Sequence, residues 1–150
     1  MNWISLSSVE FEAITLSLWV AMVSVILSLP AATAVAHLLA RRQFWGHGLV
    51  NALVHLPLVM PPVVTGYVLL VAFGRKGFFG PALEFFGFQL AFTSAGAAFA
   101  AAVMAFPLIV RSIRLAIEEV DPKLEEAAST LGASPLNVFA YVTLPNIIPG

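Results

Sequence analysis

Between Asp121 and Pro145 the chain reads DPKLEEAASTLGASPLNVFAYVTLP. The residue types there suit docking rather than turnover. Asp121 before Pro122 is a helix N-cap with proline at the first helical position, and Gly132 is a stop signal just past the helix end. Between them Leu124, Ala127, Ala128 and Leu131 fall on one apolar stripe, while Lys123, Glu126, Ser129 and Thr130 lie mostly on the other face. Ser134-Pro135 repeats the cap-and-proline device, so a second helix is expected at once, with Leu136, Phe139, Ala140 and Thr143 along its side. Leu144-Pro145 is expected to bend the chain toward a further apolar run. A solvated helix with its own start and stop, set among long apolar runs, is a handle for something on the water side. Taken from periodicity alone, a loop helix lying on the membrane surface or plugging a bundle fits better.

Other chemistries find no support. There is no H-E-x-x-H, no nucleophile beside a base, no carboxylate pair inside an apolar run and no G-x-x-x-x-G-K-[ST] phosphate loop. The chain lacks cysteine, which excludes disulfides and thiolate metal sites. A net charge of −1 and the lack of a basic patch give no footprint for nucleic acid. His37 and His55 are the titratable candidates for an ion relay, and each reads as a hydrogen-bonded packing histidine. No catalytic residue, metal site or cofactor is expected.

The elements that must hold the handle are membrane helices. Hydrophobic residues make up 60% of the chain and charged residues only 10%, against about 25% charged in a typical soluble domain. The stretches 14–40, 43–74 and 85–110 contain no Asp, Glu, Lys or Arg. Each exceeds the roughly 20 residues needed to cross about 30 Å of hydrocarbon. Spans are expected over about 14–40, 44–73 and 91–117. Residues 1–40 hold no Lys or Arg, so the first run reads as a retained span and not as a signal peptide. The middle run, interrupted by Pro57, Pro61 and Pro62, is read as one broken span. That count leaves Arg41, Arg42, Arg111, Arg114 and Lys123 in the cytoplasm, as the positive-inside rule asks, with the amino terminus, Arg75 and Lys76 outside. The outer loop 74–90 is rich in turn residues and has room for one short interfacial helix. Pro30 and Pro107 read as tolerated kinks. Pro57, Pro61 and Pro62, with Thr65 beyond them, fit tolerated breaks and the lining of a pathway equally well. Small residues from Ser94 to Ala102 suit a span at the centre of a bundle.

Spacing tips the balance. Glu126-Ala127-Ala128, three residues, Gly132, nine residues, Val142, one residue and Leu144-Pro145 resembles the EAA loop of bacterial ABC importer permeases, E-A-A-x3-G-x9-I-x-L-P. Val142 in place of isoleucine is the one departure. Leu56-Pro57-Leu58-Val59-Met60-Pro61-Pro62, Phe73-Gly74-Arg75-Lys76-Gly77 and Phe106-Pro107-Leu108-Ile109-Val110-Arg111 are similar to stretches of molybdate importer permeases, with sulfate and tungstate permeases as close relatives. The resemblance implies an all-α polytopic fold, the transmembrane domain of a type I ABC importer, over the whole of 1–150. It implies a coupling helix in the cytoplasmic segment 121–134, with Glu126, Ala127, Ala128, Gly132, Leu144 and Pro145 engaging a separate ABC ATPase subunit. Glu126 is the acid that would pair with a basic residue there, and Glu118, Glu119 and Glu125 read as solvated. It further implies a bacterial inner membrane location, a second permease copy and a periplasmic oxyanion-binding protein. The family continues past the next span, expected to begin at about 135–150, so the chain is expected to be a C-terminally truncated piece.

Overall fold

A computed structural model describes residues 7–85, 87 and 89–147. Among these residues every regular element is helical. The expected start of a further span is described as far as Ile147, and residues 148–150 lie outside the described residues.

Helix α1 (Ser8–Arg41) opens on a capping box in which Ser7 and Glu10 bond reciprocally. The Ser7 backbone N–H, and then its hydroxyl, hold the Glu10 carboxyl below its usual range. The helix runs unbroken through Pro30. Its buried face is Ser24, Ser28, Ala32, Ala36 and Leu39, about one turn apart and small in all but the last. Small side chains let two helix backbones approach where lipid supplies no hydrophobic drive. The partner is α5 (Ser94–Glu119), capped by Thr93, whose side chain accepts from Gly96 N–H at 3.1 Å. The Ser24 hydroxyl donates across this interface to the Ala98 carbonyl at 2.8 Å. Ala32, Ala36, Leu39, Val110 and Ile117 form the core, toward the carboxyl ends of both helices.

These contacts fix a direction. Ser24 meets Ala98, and Arg41 meets Ile117 and Val120. Helices α1 and α5 are therefore parallel. The intervening chain must return from the Arg41 end to the Ser94 end. Helices α2 (His47–Val59) and α3 (Pro62–Phe73) make that return. Arg114 donates to Asn51 at 3.3 Å near the start of α2, and Phe73 meets Phe99 edge-on at 4.9 Å at the end of α3. Those two points on α5 are about 22 Å apart at 1.5 Å per residue. The break at Met60 and Pro61 turns the chain by 113°. The sequence marks this break with proline but says nothing about the size of the angle. A short helix, α4 (Gly80–Phe85), occupies the loop before α5.

Helices α1 and α5 are each long and apolar enough to cross a membrane, and α2 with α3 adds a third crossing if the bent pair counts as one span. Only 17% of the most apolar window of α1 or of α5 is buried. On α1, Leu18, Trp19, Met22 and Ile26 face outward as a lipid-compatible surface, while much of α5 is half-buried. Helix α5 sits centrally, packing on α1, α2 and α3 and touching the final helix.

Candidate coupling site

At the end of α5 the chain enters α6 (Pro122–Thr130). The Asp121 carboxylate accepts from Lys123 N–H at 3.0 Å, and Pro122 fills a position whose N–H would lack a helical partner. The far end is a Schellman closure. Gly132 N–H donates to Ser129 O at 3.0 Å, and Ala133 N–H donates to Ala128 O at 3.2 Å. That closure places Gly132 at φ +86°, where an L side chain is strained. Ser134 and Pro135 then start α7 (Pro135–Val138), the Ser134 hydroxyl accepting from Asn137 N–H at 3.4 Å.

Helix α7 does not end in a bend at Leu144-Pro145, as expected from the proline. It passes through a π-helical turn (Phe139–Thr143) directly into α8 (Leu144–Ile147). Pro145 has no N–H for Tyr141, and its ring would crowd that carbonyl in a regular helix. The widened turn before it relieves that conflict. It also places Val138 and Thr143, five residues apart, on one buried face. Leu136, assigned to the packing side by the 3.6-residue period, is exposed.

On α6, Glu126 and Ala127 are exposed, Ala128 is half-buried and Gly132 is exposed. Leu144 and Pro145 are also exposed on α8. The expected apolar stripe is not covered by the rest of the chain, since Leu124 is 48% and Leu131 89% exposed. The inward face of α6 is carried by Glu125, which is drawn in from the solvent expected for it. Its carboxylate lies 3.0 Å from Arg41 Nε and accepts from Arg41 Nη2 at 3.1 Å and from the Thr143 hydroxyl at 2.7 Å. The Nε approach lacks the direction of a hydrogen bond and contributes as an ion pair. Both charged side chains are 15% exposed. The same Nη2 also donates to Ile117 O and Val120 O, each at 2.9 Å.

The four proline-region residues do not converge. Pro57 lines an apolar groove of about 430 Å³ between α1, α2 and α5, with Ser28, Leu53, Phe99 and Phe106. Thr65 is buried, its hydroxyl 3.5 Å from the Pro61 carbonyl, while Pro61 and Pro62 are exposed at the break. His55 Nδ1 pairs with the Asn51 carbonyl at 2.8 Å, a packing role. His37 packs edge-on against Phe139 at 5.3 Å, but its Nδ1 is buried without a hydrogen-bond partner, so only half of the expectation for it is met. Among the described residues no group of three or more His, Asp or Glu is placed to hold a metal.

The family described as binding-protein-dependent transport system inner membrane component matches residues 25–150. The molybdenum transport system permease protein ModB of Haemophilus influenzae is 54% identical over 142 residues, which is 94% of this chain and 62% of that protein. ModB of Escherichia coli is 53% identical over 146 residues, 97% of this chain and 64% of that protein. The sulfate transport system permease protein CysW of Synechococcus elongatus is 38% identical over 136 residues, 91% of this chain and 48% of that protein. The chain thus spans somewhat under two thirds of the ModB proteins it matches. With the capped helix, its spacing and the apolar helices that carry it all in place, the chain belongs to the family of inner membrane components of binding-protein-dependent transport systems.

Proposed function

We propose that this chain is the permease part of an ATP-driven importer that passes an oxyanion, molybdate foremost, across the inner membrane. The observation that carries this reading is α6, closed at both ends, with Glu126 and Ala127 facing outward at the EAA spacing. A stiff, capped helix can pass on a rigid-body displacement, whereas a frayed loop would absorb it. Glu126, Ala127, Ala128, Gly132, Leu144 and Pro145 engage a separate ABC ATPase on the cytoplasmic side, and Glu126 meets a cationic side chain there. The permease itself performs no chemistry. The uncovered Leu124 and Leu131 supply apolar area to the same contact.

Orientation follows from charge. Arg41, Arg114 and Lys123 share one end of the parallel helix pair, and Arg75 lies at the other with Gln89. The α6 end is taken as cytoplasmic and the Ser7 end as periplasmic. In this reading α2 and α3 are one broken span. Parallel α1 and α5 support it, because the chain between two parallel spans must recross. A second permease copy completes the pathway, and a periplasmic binding protein delivers the anion. Pro57, Pro61, Pro62 and Thr65 are assigned to the path. The apolar character around Pro57 suits weak, transient passage, with tight capture left to the binding protein.

Higher identity to the molybdenum permeases than to the sulfate permease favours molybdate. Proteoliposomes with ATP on the α6 side and the binding protein on the other side are expected to accumulate molybdate. Accumulation should continue when the proton gradient is collapsed. Uptake that ignores ATP and stops with the gradient would mean an ion-coupled carrier instead. Preference for sulfate or tungstate would reassign the substrate while leaving the mechanism in place.

A further inference from the structure

We propose that Arg41, Glu125 and Thr143 form a positioning cluster that carries displacement of the coupling helix into α1 and α5 together. The inference rests on the transport reading above and adds the residues through which motion enters the membrane helices.

The geometry points this way for three reasons. First, one guanidinium serves two membrane helices. Arg41 is the basic residue of the last turn of α1, and it also caps the carbonyl end of α5 through Ile117 and Val120. Helix α5 has no basic residue in its own last turn, so α1 supplies the cation that this helix end favours. Second, Glu125 is the point at which α6 takes hold of that guanidinium. Otherwise α6 packs mainly on α7 and the π turn. Third, Thr143, wholly buried on the π turn, donates to the same carboxylate oxygen as Arg41 Nη2. One carboxylate therefore ties α6 to α1 directly, to α5 through the arginine, and to the segment leading into α8.

A helix needed only for docking would gain little from such a cluster. Removing two charges from water is costly, and a partly buried pair is weak evidence for stability alone. What it fixes is relative position. The Arg41 guanidinium approaches the Glu125 carboxylate with Nε and Nη2 while the same Nη2 reaches the two carbonyls, so one charged group addresses all three helices. Because α1 and α5 are parallel and meet Arg41 at the same end, a push on α6 reaches both at that end in one step.

The test uses the assembled complex, purified from membranes and reconstituted with its ATPase and binding protein. The readout is ATP hydrolysed per anion delivered. In Arg41→Gln and in Glu125→Gln this ratio is expected to rise by about tenfold or more, because each leaves one charge of a partly buried pair without its partner. The ATPase should still co-purify. The double variant should match either single variant to within about twofold, because both remove one interaction. Glu119→Gln, on the exposed end of α5, should leave the ratio unchanged. A normal ratio in Arg41→Gln and Glu125→Gln beside an active parent would overturn the proposal. So would loss of membrane assembly in both, which would mark the cluster as a folding element. A parent complex without ATP-dependent uptake would overturn the transport reading itself, and the cluster's role with it.

Discussion

Replacing Gly132 by valine is expected to leave the membrane helices assembled and to uncouple ATP hydrolysis from uptake. Gly132 sits at φ +86° with open space around the position a Cβ would take. The penalty is therefore conformational and not steric crowding by neighbours. An L residue held in the left-handed region costs about 1–2 kcal/mol. A β-branched side chain is a clear outlier there. The chain can escape the strain by opening the two closing bonds, Gly132 to Ser129 and Ala133 to Ala128. Either response softens the end of α6, and the α7 start at Ser134 swings with it. The core of α1 and α5 lies elsewhere and is untouched. Gly132→Asn, better tolerated in this region, should retain much of the coupling. Uptake and hydrolysis measured together in reconstituted vesicles decide the matter. Full coupling in the valine variant would mean that the stop at Gly132 does not matter for transmission.

The second large effect is expected at Ala36. Its side chain is wholly buried between Ala32 and Leu39 on the face that meets Val110 and Ile117. No lipid-facing escape exists for added atoms. Ala36→Leu should destabilise the helix pair by about 1–3 kcal/mol, the usual range for overpacking. Pushing α1 from α5 also lengthens the Ser24–Ala98 bond and withdraws Arg41 from the end of α5. Leu18→Phe, on the outward face, serves as the comparison and should be nearly neutral. An SDS-unfolding titration in mixed micelles reads both. Equal midpoints for the two variants would contradict the close α1–α5 packing described above.

Helix α6 was legible because its signals are local. Asp121-Pro122, Gly132 and Ser134-Pro135 act within a few residues of themselves, and each cap forms as its residue types dictate. The long apolar runs were legible for the same reason, since length and charge are properties of a single segment. The π turn was not, because a 3.6-residue period assumes a regular helix through Pro145; it placed Thr143 correctly but put Leu136 and Ala140 on the packing side and missed Val138. Glu125 was misread for a different reason. Its partner Arg41 lies 84 residues away, and nothing near either residue advertises the other. The small-residue stripe of α1 shows a one-turn period, but its large apolar neighbours mask it in a reading guided by hydrophobicity. The parallel direction of α1 and α5 was implied by the span count and the charge bias, whereas their direct packing and the angle at Pro61 follow from tertiary contacts that local patterns do not encode.

Above all, α6 must be the grip of a separate ATPase. Co-purification from membranes tests this directly. The intact protein is expected to bring an ABC ATPase down with it in stoichiometric amount. A variant lacking residues 121–132 should reach the membrane and lose the ATPase. Retention of the ATPase by that variant, or its absence from the intact protein, would contradict the account.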